Sequence, residues 1–447
     1  MTAANTIQLL NKSATWRGSL FWLLDQIKGA KIRTHYDAVK RINQNHESEY
    51  ALQQRKNYLD HILKHAIQTV PYYMPLELTG ASLENFPVVN KNLIKENVTP
   101  FLSKTYLDKK TFPASTSGST GTPFTVIHDI NKKRRHKADV YFFWETVGHT
   151  WGKGFYYFRI WTKQNRKSKF IQTLQNITPV DVFKLNDQKI RQFLNTLIYG
   201  NTSKSILSYA SALDGFVKYL KQNHTNLSQA KVTSIIAMSE SLDIHTKHYL
   251  EAHFGCPVVS RYANTENGIL GQQTAFLGNN FLINLASYHV EILDLKEDIA
   301  VDEGETGRIV VTDFFNHAMP LIRYDTGDLG ALKKIKENGN IYYVLSTVEG
   351  RKMDTIYDTK DEPVSSFILT NNMWKYDSLN QYQFIQKGKK SYEFLLNPQA
   401  GFTREKELIK EFKGYLGSNA NIAITYVDEI PLLSSGKRKK VRNLTEI

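Results

Sequence analysis

Cysteine is nearly absent from this chain of 447 residues, since Cys256 is the only one. A single thiol excludes an internal disulfide and a zinc cluster built on several thiolates. That usage is typical of a reducing compartment, and we predict a cytoplasmic protein. Met1–Gln8 lacks the basic start and apolar core of a signal peptide. The longest early apolar run, Leu20–Leu24, is far too short to span a bilayer.

Negative charge is also in short supply. The chain has 57 Lys and Arg against 43 Asp and Glu, a formal net charge of +14. Such a balance favours anionic partners, here nucleotides, an acidic polysaccharide, a lipid-linked sugar or a membrane surface, although solvated faces are its ordinary cause. The basic and aromatic segment 131–146 accompanies no nucleic-acid-binding module, so nucleic acid is not an expected partner.

A run of small polar residues, Ser115–Pro123, contains six hydroxyl side chains, two glycines and a proline. It lacks the lysine of a Walker loop. The strand-like residues 124–127 follow it, which indicates a fixed loop rather than a tether. Glycines and successive backbone N–H groups can cradle phosphate, but an ordinary turn has the same composition, and the run alone leaves both open.

The middle of the chain alternates strand-like and helix-like segments. Strands are predicted at 155–160, 205–209, 232–238 and 258–262, with helices between the later ones. This alternation predicts α/β architecture with a parallel sheet. Glu240 and the segment Tyr262–Glu266 both follow strands, so both are expected at the ligand-binding edge of that sheet. Glu240 has an alternative role as a helix cap.

The two ends of the chain carry other patterns. Near the amino terminus, apolar residues recur at helical spacing, which predicts a helix that packs into the core, with an interfacial membrane helix as the alternative: Trp16, Leu20, Leu23, Leu24 and Ile27. The segments 290–293 and 308–312 predict an antiparallel hairpin. Beyond residue 354, strand-like runs and one helix predict a small α+β domain.

Five short motifs occur in a fixed order along the chain: Ser115–Pro123, Tyr262–Glu266, Tyr324–Asp328, Gly350-Arg351-x-x-Asp354 and Pro431-x-x-x-Ser435-Gly436-Lys437. Together they resemble the core motifs of the adenylate-forming (AMP-forming acyl-CoA synthetase) superfamily. The segments 59–73 and 86–91 are similar to its phenylacetate–CoA ligase-like branch, which includes CapK-type capsular polysaccharide proteins. Each motif is weak by itself, and the order carries the resemblance.

The resemblance implies a two-part architecture. A large α/β domain with mixed sheets and several subdomains, residues 1–349, would bind ATP and a carboxylate. A hinge at 350–354 would carry a small mobile α+β domain, residues 355–447. The family forms an acyl-adenylate and pyrophosphate, then transfers the acyl group to an acceptor. We therefore expect a Mg²⁺-dependent, AMP-forming ligase. The resemblance to the CapK-type branch implies that it acts in surface polysaccharide assembly.

The resemblance also assigns roles to residues of this sequence. Ser117, Gly118, Ser119, Thr120 and Gly121 would hold the β- and γ-phosphates of ATP. Tyr262 would lie against adenine, Thr265 would contact the α-phosphate, and Glu266 would bind Mg²⁺. Asp328 would accept hydrogen bonds from the ribose, and Arg351 would steady ribose or phosphate. Lys437 would bridge the carboxylate and the α-phosphate. Around Glu240, Phe142 and Trp144 we place the acid-binding pocket.

Three departures from the family pattern bear on the acceptor and the site. Phe124 follows the proline of the first motif, where lysine is frequent, and Met353 stands at the hinge where a charged residue is usual. The segment 356–367 has no glycine, whereas CoA-using relatives have a glycine-containing loop there. CoA is thus an uncertain cofactor. One alternative is a simple aryl- or acyl-CoA ligase. The other is a non-catalytic scaffold bound to polysaccharide or membrane. For the location, the alternative to the bulk cytoplasm is a peripheral position at the inner face of the membrane.

Overall fold

The computed structural model describes residues 15–79, 81–115, 124–159, 161, 166–182, 186–223, 227, 229–349, 356–364, 372–376, 378–399, 402–431 and 439–445. The described helices are α1 Trp16–Ile27, α2 Lys31–Gln44, α3 Glu49–Thr69, α4 Lys91–Glu96, α5 Ile130–Glu145, α6 Lys169–Gln175, α7 Asp187–Ile198, α8 Ala210–Asn223, α9 Ile244–Phe254 and α10 Glu405–Leu416. In these segments, no helix is long and apolar enough to cross a membrane.

Twenty strands lie in the same segments: β1 Val89–Asn90, β2 Phe112–Ser115, β3 Thr125–His128, β4 Gly154–Arg159, β5 Ile177–Asp181, β6 Lys204–Tyr209, β7 Val232–Met238, β8 Val258–Asn264, β9 Gly268–Gln273, β10 Phe281–Ile283, β11 Tyr288–Leu293, β12 Thr306–Asp313, β13 Tyr324–Glu337, β14 Asn340–Glu349, β15 Ile356–Tyr357, β16 Pro363–Val364, β17 Leu379–Gly388, β18 Ser391–Pro398, β19 Asn421–Tyr426 and β20 Val441–Asn443. The predicted strands and the 290–312 hairpin are confirmed.

One large sheet organises the first part of the chain. Its order is β11-β12-β13-β14-β10-β9-β8-β7-β6-β4-β5, and β1 pairs with β13. Strands β5, β4, β6, β7 and β8 run parallel, and from β8 to β9 the pairing becomes antiparallel. Helices α7, α8 and α9 cover one face of the parallel part, and α5 contributes to the other. The predicted α/β class is confirmed.

Local signals explain where several helices begin. Asn90 is the N-cap of α4 and accepts hydrogen bonds from the N–H groups of Asn92 and Leu93 at 2.9 and 3.0 Å. Asp129 caps α5 in the same way, accepting from the N–H of Lys132 at 2.7 Å. Each cap satisfies donors that the first turn of a helix leaves without partners.

The prediction for α1 was wrong about which side faces the core. The residues expected inside are mostly exposed, with exposed fractions of 62% for Trp16, 54% for Leu23, 41% for Leu24 and 73% for Ile27. Phe21 and Trp22 point inward instead and meet Tyr141 at ring distances of 5.2 and 5.8 Å. Two adjacent aromatic rings bury more apolar area than the aliphatic stripe, so they decide how the helix rotates.

The carboxyl-terminal part has a sheet and a core of its own. Its sheet order is β19-β18-β17-β20, and α10 packs against it around Phe384, Phe394 and Phe412. Lys440 joins it to α8 of the first part, through a 3.0 Å contact between Lys440 Nζ and Asp214 Oδ2. The division at 349 and 355 and the hinge stay predictions, because residues 350–355 lie outside the described segments.

Helix α5 is anchored to the large sheet by buried charges. Lys132 Nζ lies 2.5 Å from Asp313 Oδ2 and donates to the Tyr288 hydroxyl at 3.1 Å, and both ionic side chains are essentially inaccessible to water. Three residues along the helix, Arg135 donates to Ser287 Oγ at 2.8 Å. Charges at this depth are tolerable only when they are paired.

Breaking this pair should destabilise the fold. Lys132→Met leaves the Asp313 carboxylate buried without its cation, and we expect the free energy of unfolding to fall by about 3–5 kcal/mol. The neighbouring Lys133 is exposed, so Lys133→Met should change it by no more than about 0.5 kcal/mol. Urea denaturation of both variants measures the difference, and equal changes would contradict the assignment.

Candidate active site

The turn between β8 and β9 carries the motif Tyr262–Glu266. Asn264 Oδ1 accepts a hydrogen bond from the N–H of Asn267 at 2.8 Å, which closes the turn. Within it, Thr265 is exposed while Glu266 is 95% buried, since only 5% of its surface remains accessible. The turn therefore presents a hydroxyl to solvent directly beside a carboxylate that is held in place.

A second layer supports this turn from α5. The Tyr288 hydroxyl, itself bound by Lys132, donates to the carbonyl of Asn267 at 2.5 Å. Gly268 has φ +110°, and a Cβ there would lie 2.6 Å from His136 Nδ1. Only glycine fits such a backbone this close to the ring. The turn is thus clamped against the helix.

Glu266 is contacted from two other segments of the chain. The Tyr324 hydroxyl donates to Glu266 Oε1 at 3.3 Å. His128 Nε2 donates to the backbone carbonyl of Glu266 at 2.8 Å. His128 ends β3, the strand that follows the hydroxyl-rich run, and Tyr324 begins the Tyr324–Asp328 motif. Two of the five motifs, and the strand that follows a third, therefore meet at one residue.

The base of the hydroxyl-rich run is closed by a strand pair. Ser115 and Thr125 are register partners in the β2–β3 hairpin, and their hydroxyls lie 2.7 Å apart. The predicted strand after the run is confirmed as β3, while the fixed loop stays a prediction. Residues 116–123, including the predicted phosphate contacts at 117–121, lie outside the described segments.

Tyr262 and Asp328 are in direct contact. The Tyr262 hydroxyl donates to Asp328 Oδ2 at 2.9 Å and lies 3.2 Å from Thr326 Oγ1. Burial and the nearby Asp328 carboxylate raise the pKa of Tyr262 well above its usual value, so the phenol stays protonated and keeps donating. Gly327, at φ +78°, lets the Tyr324–Asp328 segment turn back toward β8.

Similarity to known proteins agrees with this geometry. Residues 356–444 match the family described as the CapK C-terminal domain. Protein CapK of Staphylococcus aureus is 21% identical over 96% of this chain and 95% of its own length. A structure of 2-hydroxyisobutyryl-CoA ligase in the postadenylation state matches with a TM-score of 0.71, at 13% identity, over 91% of this chain and 92% of that one.

The chain has the adenylate-forming ligase fold. The same 2-hydroxyisobutyryl-CoA ligase in its thioesterification state gives a lower TM-score, 0.57, over 88% of this chain and 91% of that one, at 14% identity. ATP-bound MatB from Rhodopseudomonas palustris has a TM-score of 0.53 at 14% identity, over 73% of this chain and 66% of its own.

With this fold, a magnesium ion is implied beside the ATP phosphates. Mg²⁺ prefers oxygen ligands and usually takes only one or two carboxylates from the protein, with water and phosphate completing its shell. Glu266 fits that donor set, because its carboxylate lies in the turn next to the exposed Thr265. Bound there, the ion would neutralise charge on the phosphates.

The predicted acid-pocket residues of this adenylate-forming fold have other partners. Glu240 Oε2 accepts from the N–H of Ser211 at 2.9 Å, at the start of α8, which is the helix-capping role left open above. Phe142 lies in the core between α2 and α5. Trp144 packs on Trp151 and Phe155, and its Nε1 has no partner. These three stay predictions as substrate contacts.

Two further predicted residues, Arg351 and Lys437, lie outside the described segments. Two residues that the sequence did not reveal join the site. Tyr324 begins one of the five motifs, but only Asp328 of that motif had been given a role. His128 is the last residue of β3, whose side chains alternate between half-buried and buried positions, and its own position is a buried one. That alternation is the one sequence signal that indicates an inward-facing side chain.

The Tyr262–Asp328 hydrogen bond can be tested by a substitution that removes only the hydroxyl group of Tyr262. Tyr262→Phe deletes the donor to a half-buried carboxylate, and we expect the Kd for MgATP to rise about tenfold, the size of a lost hydrogen bond to a charged group. Tyr199→Phe, on an exposed tyrosine, is the matched control. Isothermal calorimetry measures both, and an unchanged Kd for Tyr262→Phe would remove this pair from the site.

Proposed function

We propose that this chain is an ATP-dependent, AMP-forming ligase that activates a carboxylate as an acyl-adenylate and passes it to an acceptor. The observation that supports this best is that a second motif and strand β3 converge on the turn that carries Tyr262–Glu266. Tyr262 bonds to Asp328, while Tyr324 and His128 bond to Glu266. No structural need of a sheet requires aromatic, acidic and hydroxyl groups from three distant segments at the same edge.

The residues of the site suit the charges of that reaction. ATP and a carboxylate are both anions, so the transition state needs cations and oriented donors. Phe124 supplies no charge at the end of the first motif. In this proposal Lys437 supplies the cation, Ser117–Gly121 supply phosphate donors, and Thr265 contacts the α-phosphate. Tyr262, Asp328 and Arg351 hold the adenosine.

The arrangement of the two parts supports an adenylating conformation. This chain matches 2-hydroxyisobutyryl-CoA ligase better in its postadenylation state than in its thioesterification state, by TM-scores of 0.71 and 0.57. The contact between Lys440 and Asp214 holds the small part against α8, and Lys440 stands three residues after Lys437. Rotation about residues 350–354 would break that contact and withdraw Lys437 for the second half-reaction.

The setting we propose is surface polysaccharide assembly. The match to the CapK C-terminal domain and the similarity to Protein CapK support it. A net charge of +14 suits an acidic polymer or a lipid-linked sugar phosphate. The acceptor would then be an amine or hydroxyl of a sugar rather than CoA.

Pyrophosphate exchange tests the first half-reaction with MgATP and a panel of aromatic acids, amino acids and sugar acids. Lys437→Ala should lower the exchange rate about 100-fold or more, the usual cost of one charge-stabilising group. Lys439→Ala, two residues along the same tail, should retain most of it. No exchange with any acid would contradict the proposal.

Two rival functions have distinct outcomes in companion measurements. Stoichiometric CoA thioester from a simple acid would make the chain an aryl- or acyl-CoA ligase. Absence of any heat when MgATP is titrated, together with no effect of Asp328→Ala in cells, would leave the non-catalytic scaffold. Both measurements use the full chain, and neither depends on knowing the acceptor.

We also propose that the exposed face of α1 binds an anionic membrane surface. Trp16, Leu23, Leu24 and Ile27 are exposed on one side of this helix. Arg17 stacks on Trp16 at 4.5 Å, and Lys28 and Lys31 are exposed at the far end. An apolar stripe with tryptophan and basic residues at its ends is typical of helices that lie in the membrane interface. The positive net charge favours anionic lipid as the occupant.

Vesicle sedimentation tests this face. Leu23→Gln with Ile27→Gln should abolish binding to phosphatidylglycerol-containing vesicles, since two deeply inserted side chains are lost. Leu107→Gln, at an exposed leucine elsewhere, should leave it intact. Binding to purely zwitterionic vesicles should be weak. Absence of vesicle binding, or concentration-dependent dimerisation that the double variant removes, would assign the face to another occupant and overturn the proposal.

A further inference from the structure

Two arginines lie on the same face of the parallel sheet, near the ends of its strands. Arg159 is the last residue of β4, and Arg261 lies on β8 in register with Met238, the last residue of β7. Parallel strands end at the edge where open α/β sheets bind their ligands. Tyr262 follows Arg261 directly, so the arginine lies one residue from the candidate nucleotide site, on the opposite face of β8.

Tyr157 of β4 lies beside Arg159 on this face. Arg159 Nη1 donates to the Tyr157 hydroxyl at 3.4 Å, and its Cζ lies 5.5 Å from the Tyr157 ring. Tyr157 is in register with Leu207 of β6, which aligns with Ile236 of β7 and Val259 of β8, so Tyr157 and Arg261 face the same side of the sheet. The other flank of Arg159 is the ring of Trp161, at 5.4 Å. The two arginines thus stand on one face of the sheet at the same strand ends, three strand spacings or roughly 14 Å apart at the backbone.

Among the described residues, neither arginine forms an ion pair with a carboxylate. Arg261 is 91% buried, given a 9% exposed fraction, and its Nη2 has no hydrogen-bond partner. Burial lowers its pKa to about 10. Arg159 Nε is likewise buried without a partner. Asp181 is its register partner on β5, yet no ion pair joins them.

Hydrogen bonds to neighbouring segments hold Arg261 and Trp161 in position. Arg261 Nε donates to Gln272 Oε1 at 2.7 Å, and Gln272 Nε2 donates to the carbonyl of Phe143 at 2.8 Å, which ties the arginine to α5. Trp161 Nε1 donates to the carbonyls of Tyr157 and Val180 at 3.2 and 3.1 Å. A buried guanidinium costs several kcal/mol unless an anion compensates it. Its fork of N–H groups matches the oxygens of carboxylate and phosphate.

We infer that Arg159 and Arg261 form an anion subsite for the substrate acid, which therefore carries a second anionic group besides the carboxylate that is activated. This inference rests on the proposed ligase function and specifies the substrate class. The second group is a carboxylate or a phosphate ester, because both match the arginine fork. Its recognition lets the enzyme reject simple monocarboxylic acids, which leave the buried cations unpaired.

The test is pyrophosphate exchange by the full chain with matched acids. One arm compares succinate, glutarate and terephthalate with their monomethyl esters, and the other compares phosphoglycerate with glycerate. The dianionic member of at least one pair should exchange faster, and the arm that responds identifies the second group. Arg159→Met and Arg261→Met should each raise the KM for that acid about tenfold or more, the cost of a lost charge-assisted hydrogen bond.

Controls separate this subsite from the nucleotide site and from folding. The KM for MgATP should stay within about twofold in both variants, because only uniform binding of the acid is removed. Arg261→Lys keeps the charge and should recover part of the affinity, and Arg191→Met, at an exposed arginine, should change nothing. Equal exchange with acid and monoester overturns the inference and leaves the ligase function standing. A rise in the MgATP KM instead assigns the arginines to ATP.

Failure of the ligase function is visible separately. If no acid supports exchange, the thermal shift given by each dianionic acid without ATP is compared between the wild type and Arg261→Met. If an acid raises the melting temperature of the wild type but not that of Arg261→Met, the anion subsite is supported even though no reaction is seen. No shift in the wild type overturns it.

Discussion

The buried pair of Lys132 and Asp313 is the contact on which the site depends most. It neutralises two charges in the interior, and it fixes α5 against β12. Lys132 also orients the Tyr288 hydroxyl, which holds the carbonyl of Asn267 in the β8–β9 turn. A helix, two strands and the turn are therefore linked by one chain of polar contacts. Such a network is rigid when every member is satisfied and costly when one is removed.

Around this turn, the site is formed by short segments from different parts of the chain and not by one continuous pocket wall. Glu266 receives contacts from β3 and β13, and Tyr262 reaches Asp328. The supports are the phenols of Tyr262 and Tyr324 and the imidazole of His128, whose pKa is lowered by burial. The charged groups of the site are the ones that would contact the ligand. That separation suits a reaction between anions, because the scaffold need not reorganise as charge develops.

Much of the fold could be predicted from sequence because its signals are local. Strand and helix periodicity gave the alternation of the parallel sheet, and Asn90 marked a helix start through its own side chain. The rotation of α1 could not be predicted, since two faces were apolar and only Tyr141 and its neighbours decide between them. Ordered motifs indicated Tyr262, Glu266 and Asp328. The contacts of His128 and Tyr324 depend on pairings more than 50 residues apart, which no local pattern encodes.

Strand β8 belongs to the parallel and the antiparallel halves of the sheet at once, and its side chains alternate between two chemistries. Arg261 points to the α5 face and Tyr262 to the other, where it bonds to Asp328. A change of one residue in the length of β8 would exchange these faces and place the cation where the nucleotide site now lies. The spacing of this strand is therefore fixed from both sides, and relatives with a different acid should differ here by substitution and not by insertion or deletion.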